Sequence, residues 1–202
     1  MARRRQRQPE ETRRKLVEAT VCLVIDQGFN ATSIDQICAA ADVTKGSFFH
    51  HFPNKDAIGE AAIMWWSEMG TNLYAEAWKD SKSDPLEQLH AMLDIMDSFT
   101  RREGEACRCL IGMMSQELAE THPDIRESCA RELTVWTDNV ARLLREAKKT
   151  HIVKRDFDPE QVAWFLNSLW QGSMLIAKNR LSPEMIRDNL RIGREYVDSL
   201  FE

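Results

Sequence analysis

The stretch from Gly28 to Ile58, GFNATSIDQICAAADVTKGSFFHHFPNKDAI, constrains the fold more than any other part of the chain. It reads as two short helices joined by a tight turn and followed by the start of a third. Thr32 or Ser33 can cap the first, whose apolar positions Ile34, Ile37 and Ala41 recur at i, i+3 and i+7 and so share one face. Ala39, Ala40 and Ala41 keep that helix slim. Asp42 and Val43 interrupt the pattern, and Thr44 can cap a second helix in which Phe48 and Phe52 lie one turn apart on the packing side. Gly46, Ser47 and His50 fall on the opposite side, with Lys45 in the first turn. Small and basic groups on one face permit close approach to an anionic partner such as a DNA groove, although an ordinary helical hairpin with a solvated face carries the same periodicity.

Charge is divided in a way that favours the first of those alternatives. The formal net charge is −5, yet residues 1–55 hold nine Lys/Arg against six Asp/Glu, while residues 56–202 hold eighteen against twenty-six. An acidic remainder repels a phosphate backbone and would orient the basic end toward it. Arg3, Arg4, Arg5 and Arg7 are expected to form a short basic arm or a solvated tail ahead of the first helix. No apolar run follows those arginines, and none elsewhere approaches the length of a membrane span, so a cytoplasmic protein is expected. Five cysteines, Cys22, Cys38, Cys107, Cys109 and Cys129, are an odd number without a disulfide spacing, and Cys22 and Cys38 are expected to pack as small apolar groups.

Thr32, Thr44-Lys45-Gly46-Ser47-Phe48, His50-His51-Phe52 and Asn54-Lys55 together closely resemble the operator-binding segment of TetR-family transcriptional regulators. The resemblance implies an all-α fold, with an N-terminal three-helix helix-turn-helix DNA-binding domain and its basic arm over residues 1–54. A larger helical effector-binding and dimerisation domain would occupy residues 55–202. Carried over position by position, it implies phosphate contacts from Thr32, Thr44, His50 and Lys55, and a groove or base contact from Lys45 beside the Gly46 backbone. Ser47 is a further, weaker candidate for a base contact. One departure stands out: the usual Phe-Tyr pair of the third helix is here Phe48-Phe49, so the phenolic hydroxyl that reaches a phosphate is missing. One lost neutral hydrogen bond weakens the grip by about 1 kcal/mol per half-site, without abolishing binding.

Helical patterning continues along the rest of the chain. A first helix is expected from about Glu10 to Gln27, ended by Gly28, and a long helix from Asp56 through Trp78. Further runs follow over Leu86–Phe99, Leu110–Leu118, Ile125–Leu144, Val162–Met174 and Met185–Leu200, with a polar loop around Lys149–Pro159 and no strand signal. By resemblance the last two helices make a homodimer interface. A twofold dimer has a physical rationale, because paired heads separated by roughly 34–36 Å occupy successive major-groove faces of a near-palindromic operator.

Trp65, Trp66, Met69, Met92, Met96, Met113, Met114, Trp136 and Trp170 supply polarizable surface suited to a small hydrophobic effector, though apolar residues at helical spacing commonly just pack. Cys107 and Cys109 flank Arg108 just before a helix start, surroundings in which a thiol reacts as thiolate. Cys109-Leu110, Gln116-Glu117-Leu118 and His122-Pro123 also resemble a TetR subgroup in which the matching cysteine senses electrophiles or oxidants; a buried helix-start cysteine fits the same run. C-x-C without a second ligand pair is weak as a metal motif, and no nucleophile, base and orienter are spaced for catalysis, so no metal, cofactor or enzymatic activity is expected. The expected function is a homodimeric repressor released from double-stranded operator DNA by a small hydrophobic or electrophilic effector. A constitutive DNA-architectural protein, or an enzyme using the helical domain, are the alternatives.

Overall fold

A computed structural model describes residues 2–79, 84–101 and 108–202. Nine helices run through the described residues: α1 (Ala2–Gln27), α2 (Ile34–Ala41), α3 (Lys45–His51), α4 (Lys55–Trp78), α5 (Pro85–Phe99), α6 (Leu110–Leu118), α7 (Pro123–Thr150), α8 (Pro159–Arg180) and α9 (Glu184–Asp198). Helix α1 begins well before the expected Glu10, so the arginine-rich stretch lies within its span instead of ahead of it. Arginine and glutamine are good helix formers, which allows that extension.

The helix starts are set by side-chain caps. Asp84 Oδ1 accepts from Leu86 N at 2.9 Å and Glu87 N at 3.0 Å to open α5, and Asp158 Oδ1 accepts from Glu160 N at 2.9 Å and Gln161 N at 3.4 Å to open α8. Pro85 and Pro159 follow as the first helical residues, where a missing N–H removes no helical bond. Asn54 Oδ1 accepts from Ala57 N at 2.8 Å, so Pro53-Asn54 both ends α3 and starts α4.

Two compact units result. The first joins the chain up to Glu68 with Leu110–Glu132; the second joins Met69–Cys109 with Leu133–Glu202. The first is therefore larger than the 1–54 segment expected from the motif. Its core explains why: Leu16, Val24, Phe29, Ile37 and Phe48 are buried together with Ile58 and Ile63 of α4, Met114 and Leu118 of α6 and Ile125 of α7. Helix α1 with the short α2 and α3 makes a segment so small that its core is marginal by itself.

In the second unit, Leu89, Met92, Val140, Leu144, Val162, Leu166, Val197 and Phe201 form one core cluster, and Leu93, Met96, Met174, Ala177, Ile186 and Leu190 form another. Buried Asn167 is satisfied by Thr137 Oγ1 at 2.8 Å and the Leu133 carbonyl at 3.3 Å, a polar tie between α8 and α7. The loop after α7 pairs with the end of the chain through a single antiparallel bridge, Val153 to Phe201. Among the described residues no helix is long and apolar enough to cross a membrane, and no three His, Cys, Asp or Glu side chains gather as a metal site.

Candidate nucleic-acid interface

Helices α2 and α3 are held in a helix-turn-helix by local chemistry. Ser33, the second of the two expected caps, is the N-cap of α2: its Oγ accepts from Gln36 N at 3.2 Å, while Gln36 Oε1 accepts from Ser33 N at 2.8 Å. This reciprocal pair is a capping box. At the other end Asp42 adopts left-handed geometry, φ 54° and ψ 50°, and Val43 N reaches the Cys38 carbonyl at 3.0 Å. Aspartate tolerates that conformation better than most residues. Thr44 Oγ1 then accepts from Ser47 N at 3.2 Å to start α3. Phe48 and Phe52 turn inward as the sequence predicts, their ring centroids 5.9 Å apart.

The opposite side of α3 is open. Thr44, Lys45, Gly46 and His50 are exposed, Ser47 is half-buried, and Phe49 is 53% exposed with its ring edge-on to Phe48 at 5.3 Å. Lys45 Nζ lies 2.7 Å from Asp35 Oδ1 on α2, an ion pair that the sequence pattern does not reveal. The Asp35 hydrogen bond, and then its charge, raise the Lys45 pKa above its ordinary value. Beside these, His51 is half-buried against His50, ring centroids 5.1 Å apart, and burial, then the charges of His50 and Arg13, lower its pKa.

Two residues expected at phosphates make contacts within the free protein. Thr32 is 1% exposed, its hydroxyl donating to the Gly28 carbonyl at 2.7 Å and accepting from Gln27 Nε2 at 3.3 Å. In the free protein the hydroxyl pins the α1–α2 connection. Lys55 lays its ammonium 4.3 Å above the Phe29 ring and 3.5 Å from the Asn30 carbonyl, and burial lowers its pKa. Cys22, expected to pack, is corrected: it is exposed on α1, because the buried stripe runs through Val17, Val21 and Val24 and turns position 22 outward.

The turn that leads into α2 is braced from α6. Glu117 accepts from Phe29 N through Oε2 at 2.8 Å and from Asn30 N through Oε1 at 2.7 Å. Phe29 packs edge-on to His122, ring centroids 6.2 Å apart, and presses on Gly59, where a Cβ would come within 2.7 Å of its ring.

Residues 16–62 match the description "bacterial regulatory proteins, tetR family", and residues 85–192 match "tetracyclin repressor-like, C-terminal domain". The chain belongs to the TetR family. Among relatives of this TetR-family protein, the transcriptional regulator AcuR of Cereibacter sphaeroides is 31% identical over 90% of this chain and 84% of its own length. The HTH-type transcriptional repressor DhaR of a Mycobacterium species is 29% identical over 83% of this chain and 84% of its own. A crystal structure of regulatory protein TetR from Rhodobacter sphaeroides superimposes with a TM-score of 0.81, at 29% identity, over 94% of this chain and 98% of that one. Like its relatives, this TetR-family chain is a DNA-binding transcriptional regulator.

The effector candidates divide between the two units. Trp65, Trp66 and Met113 belong to the first, and Met69, Met92, Met96, Cys109, Trp136 and Trp170 to the second. Met92 and Met96 are each 1% exposed and pack in separate core clusters of the second unit. Cys107 lies outside the described residues. Cys109, half-buried immediately before α6, packs with Trp136 and Trp170 against the Met96 cluster, and its Sγ accepts from Gln171 Nε2 at 3.7 Å. Two neighbours there went unread in the sequence, Gln171 and Tyr74. Tyr74 Oη accepts from Trp136 Nε1 at 3.4 Å, and desolvation pushes its pKa up to about 12.

Proposed function

We propose that this TetR-family regulator is a homodimeric repressor that occupies a near-palindromic operator and leaves it when an effector binds. The observation that carries the DNA reading is the exposed face of α3, where Thr44, Lys45, Gly46, Phe49 and His50 stand open around a half-buried Ser47, beside a fully packed Phe48-Phe52 face. Thr44 and His50 are assigned to phosphates, Lys45 with Gly46 and Ser47 to the groove floor, and Lys55 to the flanking backbone.

Dimerisation is assigned to α8 and α9. Trp164, Phe165, Leu175, Ile176, Ile192 and Tyr196 on these two helices make up half of the large hydrophobic side chains that stand exposed among the described residues. Soluble monomers rarely leave so much apolar surface on neighbouring elements. Effector binding is assigned to the second unit around Cys109, Trp136 and Trp170, for a small hydrophobic or electrophilic molecule; an activated alkene would be captured as Cys109 Sγ bonds to its β-carbon, the C=C π bond breaks and the thiol proton ends on the α-carbon, leaving a thioether. An effector that binds a dimer whose heads are spaced unlike the operator half-sites more tightly, by about 1–3 kcal/mol, than one whose heads match them would shift operator affinity roughly five- to 150-fold.

Binding-site selection on the purified protein tests the central reading, together with sedimentation of the parent and Ile176→Asp. An enriched near-palindrome, bound by a dimer that Ile176→Asp dissociates, is expected. Sequence-indifferent binding would favour the architectural alternative instead, and a monomer that still selects a palindrome would overturn the assigned interface. Should Cys109→Ser keep normal release by every electrophile that releases the parent, the thiol assignment fails.

A further inference from the structure

Asp35 is the second residue of α2 and Lys45 the first of α3, so their 2.7 Å ion pair bridges the two helices on the exposed side of the helix-turn-helix. Both side chains remain largely in solvent, 67% and 62% exposed. The capping box is completed by Ser33 and Gln36, so α2 does not need the Asp35 carboxylate as its cap. A carboxylate on a surface that meets phosphates is repelled by every one of them within a Debye length. General attraction to DNA would be better served by almost any other residue.

Groove reading gives the carboxylate a purpose. In the major groove cytosine offers its N4 amine as a donor, which Asp accepts, and guanine offers O6 and N7, which Lys approaches as a donor. The bridged pair presents an acceptor and a donor side by side. One C·G base pair presents the complementary donor and acceptor side by side on its major-groove edge.

We propose that Asp35 is a specificity-determining residue: with Lys45 it reads a C·G pair at one fixed place in each half-site, Asp35 accepting from cytosine N4 and Lys45 donating to guanine O6 or N7. In the free protein the ion pair keeps both side chains extended over the same spot and holds the ammonium away from random phosphates. The inference rests on α3 being the groove-reading helix, as assigned above.

The test is binding-site selection with the purified full chain, its Asp35→Asn variant and its Asp35→Ala variant at one salt concentration, followed by titration on the selected site and on sites changed at single base pairs. For the parent, replacing the read C·G by T·A is expected to weaken binding roughly five- to 150-fold. For both variants that penalty should shrink to within about twofold while preferences elsewhere in the half-site stay, and binding to random DNA should become tighter. Unchanged base preferences in both variants would overturn the proposal, as would an A·T pair at the position that the variants relax. A uniform loss of affinity accompanied by a lower melting temperature would also overturn it, because Asp35 would then serve only the helix dipole of α2. If the parent itself enriches no near-palindrome, the groove-reading assignment of α3 fails instead; an enriched site indifferent to Asp35 counts against this inference alone.

Discussion

Glu117→Ala should loosen the first unit where α1 hands over to α2. In the parent, one carboxylate accepts two backbone N–H groups, from Phe29 at 2.8 Å and Asn30 at 2.7 Å, across 88 and 87 residues of sequence. Hydrogen bonds to a charged group contribute about 1.5–3 kcal/mol each, and leaving a partly buried donor unmade costs a similar amount. The Phe29 amide is partly buried and would lose its partner outright, whereas Asn30 is exposed and its amide can return to water. The two together put the expected loss at about 2–3 kcal/mol. Glu117→Gln keeps one acceptor oxygen but turns an NH2 toward the second donor, for an expected loss of about 1–2 kcal/mol. Urea denaturation of the parent and both variants measures the ordering, and native-state hydrogen exchange at the Phe29 and Asn30 amides localises it. If Glu117→Ala stays within about 0.5 kcal/mol of the parent and both amides exchange as before, the brace contributes nothing and the reasoning is refuted.

Restoring the missing hydroxyl with Phe49→Tyr should tighten operator binding about fivefold per half-site, since one neutral phosphate hydrogen bond is worth about 1 kcal/mol; unchanged or weaker affinity at fixed salt counts against placing the 53%-exposed ring at the backbone. Gly59→Ala gains about 1 kcal/mol of helix propensity but puts a methyl 2.7 Å from the Phe29 ring, so a net loss of about 1 kcal/mol is expected in denaturation; a gain would show that Phe29 yields. The folded His51 pKa lies below its ordinary 6.5, so the unfolded chain binds that proton more readily. Stability from this residue is fully present above pH 6.5 and is lost as the pH falls through the lowered value. Melting temperature against pH should therefore drop more steeply for the parent than for His51→Gln below pH 6.5, and parallel curves would refute the assignment.

What the sequence reveals here is what short-range chemistry decides. The inward Phe48-Phe52 pair, the Thr44 cap, the stop at Gly28 and the Pro53-Asn54 break all follow from residues within a turn of one another, and each stands in the structure as expected. Where two neighbours compete for one task the pattern is silent. Thr32 and Ser33 are both good caps, and only the geometry shows Ser33 capping α2 while Thr32 turns its hydroxyl back to Gly28. Contacts made across distance leave no periodic trace: Asp35 meets Lys45 over a turn, and Glu117 meets Phe29 from another part of the chain. The effector side was the least legible. Its methionines and tryptophans carry the same spacing whether they line a cavity or fill a core, and Met92 and Met96 fill cores.

The first unit is assembled from two stretches of chain that are not neighbours in sequence, with the division falling inside α4, before α6 and inside α7. Its apolar interior is thus completed by residues translated long after the segment that reads DNA. A ribosome that has released α1 to α3 has made a reading surface whose Phe29 amide still lacks its acceptor and whose interior still lacks Met114, Leu118 and Ile125. The head matures late, and swapping it between relatives at a single splice point near residue 55 would pair it with a foreign α6. Chimeras that exchange Leu110–Glu132 along with the amino-terminal stretch should keep a native interior where single-junction hybrids do not.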